Sequence, residues 1–271
     1  MTRFFLSLLI FLTTAAFAAV FQWRDSSGQL HYSDKPNPRA RQLQLAPSPN
    51  YYRVDYVYDG DTVRLKDGHT VRLLSINTPE IDHNRKPGEP GGEAARKRLE
   101  NLLYGHRVRL EYDVERRDKY GRTLAHLFTD SGSHLNRVLV EEGLAALSIH
   151  PPNLKYLDSL LAAQHQAEEA LRGIWGMEYY RPKPIEVLRT KRLYGWQRLV
   201  GRPLILKQGR KFVRLMFAAD LVVTIPKSNL EWFPDLHGYL GRSVEVRGWP
   251  SRRGRVYSIL VRHPSALILL D

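Results

Sequence analysis

DGDTVRL at 59–65 and VRLLSINTPE at 71–80, followed by RDKYGR at 117–122, are the stretches of this chain whose reading decides the fold. The first sets two carboxylates, Asp59 and Asp61, around a glycine and then alternates as Thr62, Val63, Arg64, Leu65, the period of a half-buried strand. Asp61 therefore stands at a strand edge beside a tight turn, where a carboxylate can face a cleft. The second predicts another strand, with Val71, Leu73 and Ser75 on one face and Arg72, Leu74 and Ile76 on the other, ended by Pro79. It carries Arg72 in its body and Asn77, Thr78 and Glu80 at its end. The third turns through Tyr120 and Gly121 and delivers Arg122 into a strand over Thr123, Leu124, Ala125, His126 and Leu127.

A hard cation such as Ca2+ takes several oxygens from carboxylates, amide and backbone carbonyls and water, and Asp61, Asn77 and the Thr78 backbone offer such oxygens. Glu80 would then be a base beside the metal. Two arginines, Arg72 and Arg122, suit a phosphate, because the guanidinium fork binds its oxygens in pairs and stabilises charge that builds on them. Taken singly, each feature has a plainer reading: Asp59 and Asp61 as turn caps, the arginines as surface ion-pair partners, Glu80 as an exposed loop acid, Lys119 and Tyr120 as ordinary surface. All of them falling in this order is what argues for a site.

At these residues the chain resembles the staphylococcal nuclease, or thermonuclease, family, over roughly residues 51 to 176. The resemblance implies a mainly β fold with α, a five-stranded OB-type barrel with three helices, and Ca2+-dependent hydrolysis of DNA and RNA that leaves 3'-phosphate ends. It implies Asp61 as the first metal ligand, with Asn77 and the Thr78 carbonyl beside it, and Glu80 as general base or water-orienting carboxylate. Arg72 and Arg122 would clamp the phosphate in the transition state, and Lys119 and Tyr120 would line the substrate groove. One departure bears on the metal: a second ligating aspartate of the family's best-studied member is Asn77 here. That removes a full negative charge and implies weaker Ca2+ binding. Nucleotide-stacking tyrosines also lack counterparts, since Ser148, Ile149 and His150 precede Pro151, Pro152 and Asn153.

The rest of the segment fits. Ile81 to Gly92 is a turn-rich loop beside the site. Glu93 to Leu103 predicts a helix with Ala95, Leu99, Leu102 and Leu103 on one face, ended by Gly105. Val108, Leu110 and Tyr112 alternate as a strand, Leu135, Val138 and Leu139 repeat at helical spacing, and Leu154 to Leu171 predicts a last helix. With no cysteine, the ten histidines form no zinc-type spacing, and disulfide frameworks are excluded. A chain of 271 residues can bury enough core without them.

Met1 to Ala18 has Arg3, an apolar run from Phe4 to Leu12 and the ending Ala16, Phe17, Ala18, the pattern of an export signal peptide with mature chain from about Ala19. A bacterial periplasmic or secreted location follows, with no stable membrane span after cleavage. Residues 19–36 predict a β-hairpin module, Trp23 and Arg24 leading through Asp25 and Gly28 to His31, Tyr32 and Ser33. It is similar to a small N-terminal module of exported bacterial proteins. Residues 37–50 read as a linker.

Charge separates the remainder: residues 1–50 carry +3, residues 51–180 carry −2 and residues 181–271 carry +12. The basic part alternates in short strands, which predicts a second, small β-barrel over 181–271, after a catalytic domain at 51–180. Its closing pattern from Gly241 to Trp249, with the basic turn at 252–255, resembles OB-type nucleic-acid-binding domains, which implies an OB-like barrel. Trp232, Phe233, Trp249 and Tyr257 are aromatics available for stacking, unless they are core. A basic surface of this kind suits nucleic acid or an anionic cell envelope. The sequence therefore predicts an exported, Ca2+-dependent nuclease, Glu80 its base and Arg72 and Arg122 its phosphate clamps. The alternative is a non-catalytic nucleic-acid-binding or envelope-attachment protein on a degenerate nuclease fold.

Overall fold

A computed structural model describes residues 20–36, 38–43, 50–82 and 88–270. The chain forms two compact units, residues 1–49 and 50–271. The leader read at 1–18 and the tip of the loop after Ile81 lie outside the described residues.

In the first unit β1 (Val20–Arg24) pairs antiparallel with β2 (Leu30–Ser33). Asp25 shapes the turn, its Oδ1 accepting from the Ser27 N–H at 2.9 Å and the Gln29 N–H at 3.0 Å. The Trp23 ring stacks on His31 at 5.4 Å. A third strand, β3 (Arg41–Leu43), pairs with the other edge of β1, so the segment read as a linker contributes to a three-stranded sheet. Two strands alone are marginal in water, and a third satisfies both edges of β1.

The second unit opens with β4 (Tyr51–Tyr52), β5 (Val54–Asp59), β6 (Thr62–Leu65), β7 (Thr70–Leu73) and β8 (Ile76–Asn77). Then come α1 (Gly92–Leu103), β9 (Val108–Glu111), β10 (Thr123–Thr129), α2 (Leu135–Glu141), β11 (Ala146–Leu147) and α3 (Leu157–Glu169). One six-stranded sheet runs β4-β9-β10-β7-β6-β5, and β8 pairs with β11 in a separate ladder. Leu99, Leu127, Leu135, Leu139 and Leu160 show no exposed surface at its core. Truncating any one to Ala would cost about 2–5 kcal/mol.

The expected barrel is not formed. Closure needs a hydrogen-bonded ladder between the end strands. Here β4 has two residues and pairs with β9, while β5 pairs with β6, and no ladder joins β4 to β5 among the described residues. Two register shifts in β5, between Val54 and Tyr56 and between Val57 and Asp59, add local twist there, and α1 packs against that strand. The fold is a mixed α and β arrangement of several open sheets.

The basic C-terminal segment also lacks a closed barrel. It contains β12 (Lys183–Pro184), β13 (Gln197–Gly201), β14 (Ile205–Gln208), β15 (Phe212–Ala218) and β16 (Leu221–Pro226). β17 (Val244–Gly248), β18 (Pro250–Arg253), β19 (Val256–Leu260) and β20 (Leu267–Leu269) complete it. These form two open sheets, β12-β13-β17-β20 and β14-β15-β16-β19-β18, around a core that includes Leu199, Val246, Leu215, Val223 and Ile259. The strands were legible because inward residues alternate, but alternation fixes which face is buried and leaves the pairing of the end strands open.

The two halves of this unit share a third cluster, in which Trp175, Tyr180 and Trp196 pack with Ala146, Ala167 and Ile174. The guanidinium groups of Arg198 and Arg247 lie over the Trp175 ring at 5.3 and 5.4 Å.

Candidate active site

The predicted strand over Val71–Ile76 is broken in two, and the break builds the site. β7 ends at Leu73, Ser75 takes a left-handed backbone with φ of 67°, and β8 restarts at Ile76. Such a conformation is uncommon for a residue other than glycine and holds when its surroundings over-determine it. They do: the Leu74 N–H donates to the Ala125 carbonyl at 3.0 Å and the Ser148 N–H to the Ser75 carbonyl at 2.9 Å. The fully buried Asn136 donates through Nδ2 to the Leu74 carbonyl at 2.9 Å and accepts from the Leu127 N–H at 3.0 Å. The turn swings Asn77 and Thr78 back onto Asp61.

Asp61 is held by the turn before it, where its N–H donates to Asp59 Oδ1 at 3.0 Å, the capping role that a DGD string has on its own. Between them Gly60 lies so close to Ala95 and Thr78 that a Cβ would meet Ala95 Cβ and Thr78 Cγ2 at 2.6 Å. Only glycine lets this turn press against α1. Asp61 Oδ2 accepts from the Thr78 N–H at 2.8 Å and pairs with Arg72 Nη1 at 2.8 Å, and Oδ1 accepts from Thr62 Oγ1 at 3.0 Å. Arg72 also donates through Nη2 to Asn77 Oδ1 at 3.2 Å, and Asn77 Nδ2 donates to the Thr78 carbonyl at 2.9 Å.

Burial pushes the Asp61 carboxyl up to about 7, with Asp59 adding to the effect, against the pull of Arg72 and the Thr78 N–H. The single ion pair does not offset the loss of water at this carboxyl. Thr78 Oγ1 is buried with no hydrogen-bond partner. Among the described residues no three His, Asp or Glu side chains cluster as metal ligands. A cation here would therefore rest on Asp61 and on the neutral oxygens of Asn77 and Thr78, an all-oxygen set that fits a hard ion such as Ca2+.

β10 runs parallel to β7 with Leu124 opposite Arg72, which places Arg122, just ahead of β10, at the adjoining strand end. Its Nε donates to Asp118 Oδ2 at 2.7 Å and its N–H to Asp118 Oδ1 at 3.0 Å. Tyr120, exposed, has Lys119 Nζ 4.9 Å and the Arg122 guanidinium 5.6 Å from its ring centroid. Lys119, Tyr120 and Arg122 thus form one turn, and Asp61, Arg72, Asn77 and Thr78 form one bonded cluster. Glu80 stands outside that cluster, exposed after Pro79, and its carboxylate makes no ion pair among the described residues.

Residue-by-residue motif reading passed over Asp118, Glu89 and Asn136. Asp118 carried a signal, an acid four residues before Arg122. Glu89 carried none: its N–H donates to the Glu80 carbonyl at 2.8 Å, while its carboxylate reaches the backbone N–H of Trp196. Burial pushes that carboxyl up. The chain can cross here because a Cβ on Gly92 would stand 2.5 Å from the Glu80 carbonyl oxygen. The backbone at Glu80 is thereby tied through Glu89 to the C-terminal half, by a contact distant in sequence.

Comparison with known proteins follows the same residues. The staphylococcal nuclease homologue family matches residues 70–177, and a domain of unknown function, DUF4124, matches residues 7–51. A thermonuclease of Staphylococcus intermedius is 42% identical over 127 residues, which is 46% of this chain and 75% of that protein. A thermonuclease of Staphylococcus hyicus is 38% identical over 127 residues, with the same coverage of 46% and 75%. An SPbeta prophage-derived endonuclease of Bacillus subtilis (strain 168) is 37% identical over 132 residues, 47% of this chain and 44% of that protein.

Proposed function

The chain belongs to the staphylococcal nuclease homologue family, and from that membership and the site's geometry we propose that it is an exported, Ca2+-dependent nuclease acting on DNA, RNA or both. The observation that carries the reading is the bonded cluster of Asp61, Arg72, Asn77 and Thr78, which sets anionic and neutral oxygens against a guanidinium, with Glu80 exposed two residues after Thr78 and without an ion pair among the described residues.

Bound at Asp61, Asn77 and the Thr78 carbonyl, Ca2+ would supply positive charge to a phosphodiester oxygen. Glu80 orients water and accepts its proton as the water oxygen attacks phosphorus, the ester bond in line with it breaks, and the leaving oxygen takes a proton from solvent. Arg72 and Arg122 donate to the equatorial oxygens, where negative charge grows in the transition state. Asp118 holds the Arg122 guanidinium in place. Lys119 and Tyr120, on the same exposed turn, contact the substrate beyond the scissile phosphate.

Among the described residues no helix is long and apolar enough to cross a membrane. Export rests on the N-terminal pattern. Glu80→Ala and Arg122→Ala are expected to lower plasmid cleavage by about 10²-fold or more with an unchanged circular dichroism spectrum. Near-normal cleavage by both would sink the proposal.

A further inference from the structure

The basic half contains a groove that the catalytic reading does not use. Its volume is about 600 Å³, and it lies between the segment 188–195 and the β18–β19 hairpin. No Asp or Glu among the described residues lines it. Of its cations, Arg189 is neutralised by Asp220, at 2.6 and 2.9 Å, but Lys191, Arg192 and Arg252 have no carboxylate partner among the described residues. Two of these lie beside aromatic rings: Arg192 sits 4.9 Å from the Tyr194 ring centroid and Arg252 5.1 Å from that of Tyr257. Trp249 and Tyr194 keep 41% and 57% of their surface exposed, which leaves aromatic surface within reach of a ligand. Arg253 and Arg255 extend the positive surface along the hairpin.

Trp249 also lines a second, smaller cleft, with Ser148, His150 and Arg262 on its walls. Arg262 is half buried with no acidic partner among the described residues, and burial pulls its guanidinium below the usual value. A desolvated cation without a counterion marks a place for an anion. The cleft meets the candidate active site through the backbone: β11 pairs with β8, Ala146 opposite Asn77, and the Ser148 N–H donates to the Ser75 carbonyl at 2.9 Å. His150 lies in the field of both Arg262 and Arg72, whose charges add to burial in holding its imidazole down to about 4.

We propose that this groove is a second nucleic-acid site, in which a single strand stacks its bases on Trp249 and Tyr194, lays its phosphates along Lys191, Arg192 and Arg252, and passes Arg262 toward Arg72. A single strand fits better than a duplex because the exposed rings need unpaired base faces. A base-free polyanion would use the cations alone, and an anionic envelope polymer is the rival that the test separates. Only the direction of the strand, toward Arg72, rests on the nuclease reading.

The test is fluorescence anisotropy of labelled oligothymidylate with the full chain in EDTA, where binding is read without cleavage, over a range of NaCl. Trp249→Ala is expected to weaken binding about tenfold or more. Arg262→Ala and Lys191→Ala/Arg192→Ala are expected to flatten the dependence of log affinity on log salt by about 0.7 for each phosphate that is no longer neutralised. All are exposed or unpaired positions, so folding is checked simply by the thermal midpoint. Binding by Trp249→Ala equal to wild type, or dextran sulfate binding as tightly as oligothymidylate, would overturn the groove. Cleavage of the same oligothymidylate once Ca2+ is added separates the two readings. Wild-type protein that binds through Trp249 but cleaves nothing would overturn the nuclease reading alone, and protein that cleaves with Trp249-independent binding would overturn the groove alone.

Discussion

Arg247, in the C-terminal sheet, forks onto Glu168 of α3, Nη1 to Oε1 at 2.6 Å and Nη2 to Oε2 at 2.7 Å. The same guanidinium donates through Nε to Glu245 at 2.6 Å, and Glu245 is gripped in turn by Arg198 at 2.7 and 2.9 Å. Although burial works to raise the Glu245 carboxyl, the two guanidinium groups hold it below the usual carboxylate range. This network over Trp175 ties α3 to the C-terminal sheet. Glu168→Ala leaves the buried Arg247 with one partner and is expected to cost about 2–4 kcal/mol, read as a lower urea midpoint. A midpoint equal to wild type would contradict that role.

Asn77→Asp tests the charge of the cation site. The change adds a carboxylate beside Asp61 and removes the Nδ2 donor that now occupies the Thr78 carbonyl. Both effects favour a hard cation, and the Ca2+ concentration giving half-maximal thermal stabilisation is expected to fall about tenfold. An unchanged or higher midpoint would show that Asn77 does not face the ion.

Two histidines predict an acid-sensitive core. His126 has no exposed surface, and its Nδ1 shares one hydrogen bond with His134 Nε2 at 3.1 Å, while its Nε2 is buried without a partner. The Phe128 ring stacks on His134 at 4.4 Å, with Tyr156 alongside. Burial holds both imidazoles down, to about 4 and about 3 from the ordinary 6.5. A folded value below the unfolded one gives stability that is full above pH 6.5 and drains as pH falls toward 4. The raised Asp61 carboxyl acts in the opposite direction, so the readout is a difference. From pH 7 to 5 wild type is expected to lose more urea stability than His134→Gln, by on the order of 1–2 kcal/mol. Equal losses would refute the coupling.

The parts of this architecture that were legible in the sequence are those written in local pattern. Val63 and Leu65, Val71 and Leu73 are buried as their alternation requires, and Leu99 and Leu103 face the core as helical spacing requires. The left-handed turn at Ser75 was not legible, because Leu74, Ser75 and Ile76 continue the alternation and the bonds that bend the chain come from Asn136 and Ser148. The open edge of the sheet is not written in local pattern either, since the pairing of β4 and β5 depends on their twist and not on their composition. Of the site, motif order brought out Asp61, Arg72 and Asn77, but the tie from Glu80 through Glu89 to Trp196 joins residues that no local pattern relates.

The central claim, that this site hydrolyses phosphodiesters with Ca2+, is tested most directly by cleavage of plasmid DNA and of RNA by the chain from Ala19 onward. Ca2+ is titrated against EDTA, with Glu80→Ala alongside. The account predicts cutting that appears with Ca2+, vanishes in EDTA and drops by about 10²-fold or more in the variant. Nucleic acid that is bound but left intact at every Ca2+ concentration, or cut equally by Glu80→Ala, would contradict it.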